Sequence, residues 1–303
     1  MHRLDDLDVR IVRELGSPSS PQWNVRETYS SIAKRIGIDE ETVRRRVKRA
    51  ERLGSITGWK MMVNPRLIEC KAAALDLEVA EESEKDKAVS KLKKVDGVIK
   101  ILNFRGKGLQ LNMYYPNEQE LERKLELISS ICGSSKLTSW ELFFPRPNVR
   151  MTKTDWRISE AMLDDARESL EDVSKNIGVS ARTIERHLTA ICDGRGVYLQ
   201  GTPVFKNFVG LGCLFLVYCP DSEKKRTVDD VISKTHRIEI TGTNAEQYST
   251  FATAFDNLAQ ADEFVTWIEG LDGVKKVKMG IMKDLIVVQD WLHEELLRRA
   301  GML

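Results

Sequence analysis

The chain has 303 residues, of which 42% are hydrophobic and 31% are charged, and its formal net charge is +1. This composition is typical of a globular protein, and the length allows about two to four domains. No apolar run reaches the roughly 18 residues of a membrane span, and the N-terminal residues MHRLDDLDVR lack a signal-peptide core. We therefore expect a cytoplasmic protein with no membrane partner.

The five cysteines predict neither a disulfide framework nor a metal site. They form no CxxC pair, and their number is odd. Cys213 and Cys219 would share one face of a strand, but two thiols without a nearby histidine make a poor zinc site. No P-loop, nucleotide fingerprint or nucleophile motif stands out. We therefore predict no metal, no cofactor and no catalytic residues.

Along the chain, a first amphipathic helix in LDDLDVRIVRELG precedes a second pattern at residues 27–54, ETYSSIAKRIGIDEETVRRRVKRAERLG. This segment predicts two short helices joined by a tight turn, that is, a helix-turn-helix. Gly37 suits the end of the first helix, and Asp39 suits the N-cap of the second. The apolar inward face of the second helix is formed by Val43, Val47, Ala50 and Leu53.

The outward face of this second helix is basic. Residues 1–60 hold 13 lysines and arginines against 9 aspartates and glutamates. Such faces are often merely solvated, but Lys48, Arg49 and Arg52 have few acidic neighbours one turn away, which favours a phosphate partner. Arg46 lies nearer the apolar face, and we expect it to support the helix instead. The residues expected to contact DNA, the first nearest base edges and the last nearer phosphate, are Arg44, Arg45, Lys48, Arg49 and Arg52.

The segment SITGWKMMVNP after this helix predicts a short hairpin, and three helices with such a wing make a winged helix-turn-helix. Residues 67–148 then follow the order β-α-β-β-α-β, which is typical of ferredoxin-like folds. The pattern repeats from residue 149, and 20 or so residues around Gly178 match those around Gly37 at an offset of 141. We predict an α+β protein of two tandem units, with domains at 1–66, 67–148, 149–208 and 209–303.

This layout, and above all the residues LDDLDVRIVREL and SSIAKRIGIDEETVRRRVKRAERLGSITGW, resembles the Lrp/AsnC family of transcription regulators. The resemblance implies double-stranded DNA as partner, oligomerisation through the ferredoxin-like (RAM-like) domains, and an amino-acid effector. Relatives normally carry one copy of each domain. We therefore expect either that two such chains form a homodimer, or that the two copies form a pseudo-dimer within one chain.

The effector site departs from the family pattern, which has a Gly-x-x-Asp segment between the second and third strands. Here that loop is FRGKGLQL, which offers Arg105, Gly106 and Gly108 as candidate effector-binding residues but no aspartate. The corresponding loop of the second copy, TGTNAEQYS, has no match either. A tight turn that needs positive φ is the alternative explanation of both glycines.

The two helix-turn-helix modules differ in charge. At the offset of 141, Lys48, Arg49 and Arg52 become Thr189, Ala190 and Asp193, while Arg45 is kept as Arg186. Residues 153–208 hold 8 basic against 9 acidic residues. We expect the first module to supply most of the DNA affinity, with Arg182 and Arg186 as the contact candidates of the second.

Two alternative functions remain open. Siroheme decarboxylases of the haem pathway resemble this family in fold and use histidine in their central strands. The one histidine predicted near such a strand here is His236, which on its own favours a surface residue. The other alternative is an architectural DNA-binding protein with little sequence preference. A terminal amphipathic helix, DWLHEELLRRAGML, is predicted either to dimerise or to pack on the last sheet.

Overall fold

The computed structural model describes residues 2–3, 5–16, 22–134, 136–234, 239–241 and 248–303. Its elements form two tandem α+β units, as predicted. The first unit comprises β1 (His2–Arg3), α1 (Asp6–Glu14), α2 (Tyr29–Ile36), α3 (Glu40–Arg52), β2 (Ile56–Val63), β3 (Lys71–Glu78), α4 (Lys85–Leu92), β4 (Val98–Phe104), β5 (Gly108–Tyr115), α5 (Glu118–Cys132) and β6 (Leu137–Leu142).

The second unit repeats this order from α1 onward, with an extra two-residue strand ahead of its ferredoxin-like domain, and adds one helix at the end. It comprises α6 (Lys153–Ala161), α7 (Leu170–Ile177), α8 (Ala181–Asp193), β7 (Val197–Pro203), β8 (Phe208–Val209), β9 (Leu211–Tyr218), α9 (Ser222–Ser233), β10 (Glu239–Thr241), β11 (Tyr248–Phe255), α10 (Leu258–Glu269), β12 (Lys276–Val287) and α11 (Asp290–Ala300). None of the helices in the described ranges is long and apolar enough to cross a membrane.

Both helix-turn-helix modules form where local signals place them. Thr28 caps α2, which ends at Gly37 with φ +75°, a conformation that glycine adopts without strain. The Asp39 side chain then accepts a hydrogen bond of 2.8 Å from the Thr42 amide and starts α3. In the second unit, Gly178 ends α7 in the same left-handed conformation. The predicted turn is therefore confirmed in both copies.

The two βαββαβ domains share one eight-stranded sheet. Its strand order is β10-β11-β9-β12-β4-β5-β3-β6, so the first and third strands of each domain are central, as in ferredoxin-like folds. Strand β12 joins the halves. Its first part pairs with β9 up to Ile281, and its second part pairs with β4 from Met282 onward.

The shared sheet curls so that its helix-free faces meet. Three strands separate β9 from β3 in the sheet order, yet Leu216 on β9 packs in one cluster with Ala74 on β3. The rings of Trp140 and Tyr248 lie 4.8 Å apart in the same cluster. Lys278 on β12 pairs with Asp76 on β3 at 2.9 Å. Each unit therefore covers the open sheet face of the other.

The predicted hairpin wing is wrong. Residues 56–63 form one continuous strand, β2, which pairs antiparallel with β7 of the second unit. The alternating pattern of SITGWKMMVNP is the same for a hairpin arm as for a strand with a distant partner, so sequence periodicity could not separate the two. Strands β2 and β7 (the wing strands, because each occupies the wing position of its module) thus join the two helix-turn-helix modules to each other.

The terminal helix packs within the chain, against the second helix-turn-helix and the first ferredoxin-like domain. Helix α11 lies against α6, and its buried side chains Leu292 and Leu296 belong to the cluster that contains Trp156 and Tyr114. Arg299 adds a contact to the Trp156 ring, with its guanidinium carbon 5.6 Å from the ring centroid. The helix therefore closes the joint between the second helix-turn-helix and the first ferredoxin-like domain.

Two buried tyrosines connect three elements at this joint. The Tyr114 hydroxyl lies 2.9 Å from the Val63 carbonyl oxygen and 2.9 Å from the Tyr198 hydroxyl. Burial raises the pKa of both groups, that of Tyr198 to about 12, so both are neutral at pH 7. The pair links β5 to both wing strands.

This pair makes a prediction about stability. Tyr114→Phe removes the central hydroxyl and leaves the buried Tyr198 hydroxyl without this partner, so we expect a loss of about 2 kcal/mol in unfolding free energy. Tyr198→Phe leaves the Tyr114–Val63 bond intact, and we expect a loss of about 1 kcal/mol. Urea unfolding of the two variants measures both values. A larger loss in Tyr198→Phe would contradict this ranking.

Candidate nucleic-acid interface

The outward face of α3 carries four exposed cations. Arg45, Lys48, Arg49 and Arg52 are all exposed, and no carboxylate in the described part of the chain lies within ion-pair distance of any of them. The helix is positioned from behind by Val43, Val47 and Ala50, which are buried against the rest of the module. The arrangement leaves the four charges available to an external polyanion.

Arg44 differs from these four. Its guanidinium is hydrogen-bonded to Glu40 and lies 3.5 Å from Glu41. The same group stacks over the Tyr29 ring at 5.7 Å from the centroid. The side chain is still 41% exposed, so it lies at the border of the basic face.

Arg46 supports the helix, as predicted. One of its terminal nitrogens lies 2.7 Å from Asp5 and 2.8 Å from the buried Asp8, which ties α3 to α1. The second copy keeps this link with a different side chain. There His187 on α8 lies 2.7 Å from Asp155 on α6. We call the second helix of each helix-turn-helix, α3 or α8, its recognition helix. An equivalent contact therefore holds the orientation of the recognition helix in both modules.

The recognition helix of the second module presents a mixed face. Arg182 and Arg186 are exposed and lack an ion pair among the described side chains. Glu185, Thr189, Ala190 and Asp193 share the exposed surface of α8 with them. Two cations therefore stand beside two carboxylates, whereas the face of α3 is dominated by cations.

The two modules contact each other reciprocally. Arg26 of the first module donates to the main-chain oxygen of Glu168 at 2.8 Å, and Arg167 of the second donates to that of Glu27 at 3.0 Å. Both residue pairs are related by the offset of 141. Gln22 and Leu163 share this offset, and their carbonyls accept from the amides of Leu199 and Met61, which pair with each other across β2 and β7. Matched contacts in both directions are the mark of a two-fold interface.

Sequence reasoning missed this interface, although a signal was present. The dipeptide Arg-Glu occurs at 26–27 and again at 167–168, at the offset that relates the turn glycines. The centre of the arrangement is the pairing of Met61 with Leu199 in the two wing strands. Residues of one helix-turn-helix thus recur as contacts of the other.

The candidate effector loop is occupied by internal contacts. The buried Lys85 amine donates to the carbonyl oxygens of Phe104 at 2.6 Å and Gly106 at 2.5 Å, and burial lowers its pKa to about 8. The Arg105 amide donates to Ile281 of β12 at 2.8 Å. Gly106 has φ +70°, as a tight turn requires, whereas Gly108 does not have positive φ. The corresponding residues 242–247 of the second copy lie outside the described residues.

Of the described histidines, His187 and His293 lie on helices and His2 lies on β1, so none lies on the shared sheet. His187 pairs with Asp155 as above, and His293 on α11 lies 3.4 Å from Glu160. His236 lies outside the described residues. The five cysteines are all buried and unpaired.

Comparison with known proteins supports this description. An AsnC-type helix-turn-helix domain matches residues 4–51. The chain is 31% identical over 103 residues to the HTH-type transcriptional regulator Ptr1 of Methanocaldococcus jannaschii, covering 34% of this chain and 66% of Ptr1. It is 27% identical over 149 residues to the regulatory protein AsnC of Haemophilus influenzae, covering 46% of this chain and 94% of AsnC.

A solved structure shares the tandem arrangement. The siroheme decarboxylase NirDL superposes with a TM-score of 0.57 over 97% of this chain and 99% of its own, at 13% sequence identity. At that identity the likeness shows the fold alone. The matched helix-turn-helix domain and the regulator relatives show that this chain belongs to the Lrp/AsnC family of transcription regulators.

Proposed function

We propose that this protein is a sequence-specific DNA-binding transcription regulator, with its first helix-turn-helix as the main reader. The observation that carries the proposal is the face of α3, where four exposed cations have no acidic partner among the described residues. Phosphates neutralise such a face, and arginine also recognises guanine edges in the major groove. Arg44 contributes from the border, and Arg182 and Arg186 from the second module.

The two-fold contacts suggest how the protein binds DNA. In dimeric regulators of this kind, two recognition helices reach half-sites about one helical turn apart. Here the reciprocal contacts of Arg26 and Arg167 support an intrachain pseudo-dimer. Since β2 and β7 pair with each other, we expect the recognition helices rather than the wings to make the base contacts. Further homo-oligomerisation through the sheet domains belongs to the same proposal.

The four-domain division with boundaries after 66, 148 and 208 is retained as a working proposal. The first boundary falls within the short 3-10 helix Pro65–Ile68. A small-molecule effector bound at Arg105, Gly106 and Gly108 is the proposal with the least support. Lys85 and Ile281 already form hydrogen bonds with that loop.

Selection of bound duplexes from a random pool tests the proposed function. We expect an enriched motif with one strong half-site, read by α3, and a weaker one about 10 base pairs away. Footprinting on the enriched and on an unrelated duplex supplies the control. Tight binding without enrichment would favour the architectural alternative. Absence of binding at low salt would contradict DNA binding altogether.

A second candidate is an enzyme that acts on a tetrapyrrole. The observation in its favour is that the whole tandem arrangement recurs in a siroheme decarboxylase. Against it, no described residue of the eight sheet strands is a histidine, the group that decarboxylases of this fold use. Absorbance titration of the protein with an iron-containing uroporphyrin discriminates between the two. Tight binding with release of carbon dioxide would replace the regulator by the enzyme.

A further inference from the structure

A cleft of about 660 Å³ lies where the second module meets the base of the first recognition helix. It is lined by residues of both modules. From the first come Tyr29 on α2, Glu51 on α3 and Trp59 on β2, and from the second come Asp165 and Arg167. A cleft of this size is in the range that small-molecule ligands occupy.

The charge of Arg167 is only partly balanced inside the protein, because Glu51 attracts it from beyond ion-pair distance and the Tyr29 hydroxyl is its other stabilising neighbour. Its guanidinium is half-buried, donates one hydrogen bond to the Glu27 carbonyl oxygen and forms no ion pair within the described ranges. Its Nε is fully buried and has no hydrogen-bond acceptor. Burial lowers the pKa of the group, which reflects the cost of keeping this charge out of water. The buried Nε cannot reach a ligand, but the part of the guanidinium that lines the cleft can bond an anionic acceptor there.

The aromatic rings of the cleft are already engaged by cations. The Arg167 guanidinium lies 5.4 Å from the centroid of the Tyr29 ring and 5.6 Å from that of Trp59. Arg44 lies over the Tyr29 ring as well, at 5.7 Å. A cationic ligand would have to compete with these two guanidinium groups. The rings and Ile56 can still provide an apolar wall for a neutral part of a ligand.

Two exposed carboxylates limit the charge that the ligand carries. Glu51 accepts a hydrogen bond from the Trp59 indole nitrogen at 3.2 Å, and Asp165 accepts one from the Arg167 amide at 2.9 Å. Both would repel a phosphate or a dicarboxylate. The cleft therefore accommodates a ligand with a single carboxylate, placed against Arg167.

The mirror position does not repeat the cleft. At the offset of 141, Arg167 corresponds to Arg26, but Tyr29 corresponds to Leu170 and Glu51 to Cys192. Arg26 makes the equivalent main-chain contact, to Glu168. The cleft is therefore a feature of one side of a two-fold interface, and Arg26 is a matched control for Arg167.

We propose that this cleft binds a small monocarboxylate with an apolar or aromatic body, at the joint between the two modules. The ligand's carboxylate would bond Arg167, the residue that fixes the position of the second module on Glu27 of the first. Occupancy would then change the relative placement of the two recognition helices. That regulatory consequence rests on the proposed DNA-binding function, whereas the ligand site does not.

Fluorine NMR of the full chain without DNA tests the site. The probes are 4-fluorophenylacetate, its neutral amide and the cationic 4-fluorophenethylammonium. We expect the acid to bind about tenfold more tightly than the amide, because a charge-assisted hydrogen bond is lost in the amide. Arg167→Gln should abolish this preference, and Arg26→Gln should keep it. Tighter binding of the cation, equal binding of acid and amide, or an unchanged preference in Arg167→Gln would overturn the proposal.

Asp165→Asn provides a second readout that does not disturb Arg167. Asparagine keeps an oxygen for the Arg167 amide but removes the repelling charge, so the acid should bind about threefold more tightly. Unchanged or weaker binding would overturn the proposal even if Arg167→Gln failed to fold. Because these titrations contain no DNA, a failure of the regulator function would leave their outcome unaffected. With selected DNA present, the acid should shift the DNA Kd of the native chain and of Arg26→Gln.

Discussion

Replacing Arg45 and Lys48 together by alanine is expected to weaken binding to the selected DNA by about 3 kcal/mol, roughly 100-fold. Both side chains are exposed and lie outside any ion pair of the described residues, so their loss should leave the fold intact. The magnitude of the slope of log affinity against log salt should fall by about 1 to 2, since up to two phosphate contacts disappear. Titration of a labelled duplex at several salt concentrations measures both quantities.

The matched pair in the second module should behave differently. Arg182→Ala with Arg186→Ala also removes two exposed cations, but from a face that already carries Glu185 and Asp193. We expect a loss of less than about tenfold, because the neighbouring carboxylates weaken any phosphate contact there. Equal losses in the two double variants would contradict the division of labour between the modules.

Leu296→Ala is expected to lower the unfolding free energy by about 3 kcal/mol. Leu296 is fully buried between α11 and the cluster that contains Trp156 and Tyr114. Removing its branched end leaves a cavity at the joint of the second helix-turn-helix with the first ferredoxin-like domain. Guanidinium unfolding followed by circular dichroism measures the loss.

Leu127→Ala is the control for that experiment. Leu127 also lies on a helix, but its side chain is 45% exposed. The same chemical change should cost less than about 0.5 kcal/mol there. If both variants lost the same unfolding free energy, α11 would not be part of the packed core.

Local and periodic features could be predicted from the sequence. The caps at Gly37 and Asp39 act within a few residues, and the inward face of α3 follows from helical spacing. The order of strands and helices in both ferredoxin-like domains follows from the same kind of pattern. The duplication was visible as an offset shared by apolar and turn positions.

Contacts between distant parts could not be predicted in this way. The partner of β2 lies some 140 residues further along the chain, and its pattern is compatible with any partner strand. The site of α11 depends on a surface that exists only after both units have formed. For Arg44, in contrast, the pair with Glu40 four residues earlier was accessible from helical spacing alone.

The reciprocal contacts of Arg26 and Arg167 have a consequence for how this protein depends on its own concentration. In a homodimer, equivalent contacts are lost on dilution. Here the peptide chain between residues 26 and 167 keeps the two modules together at an effective concentration on the order of millimolar. The pairing of the modules should therefore persist at the nanomolar protein levels at which operators are found. A substitution also changes one side of the interface instead of both, so that each half can acquire its own ligand and its own half-site.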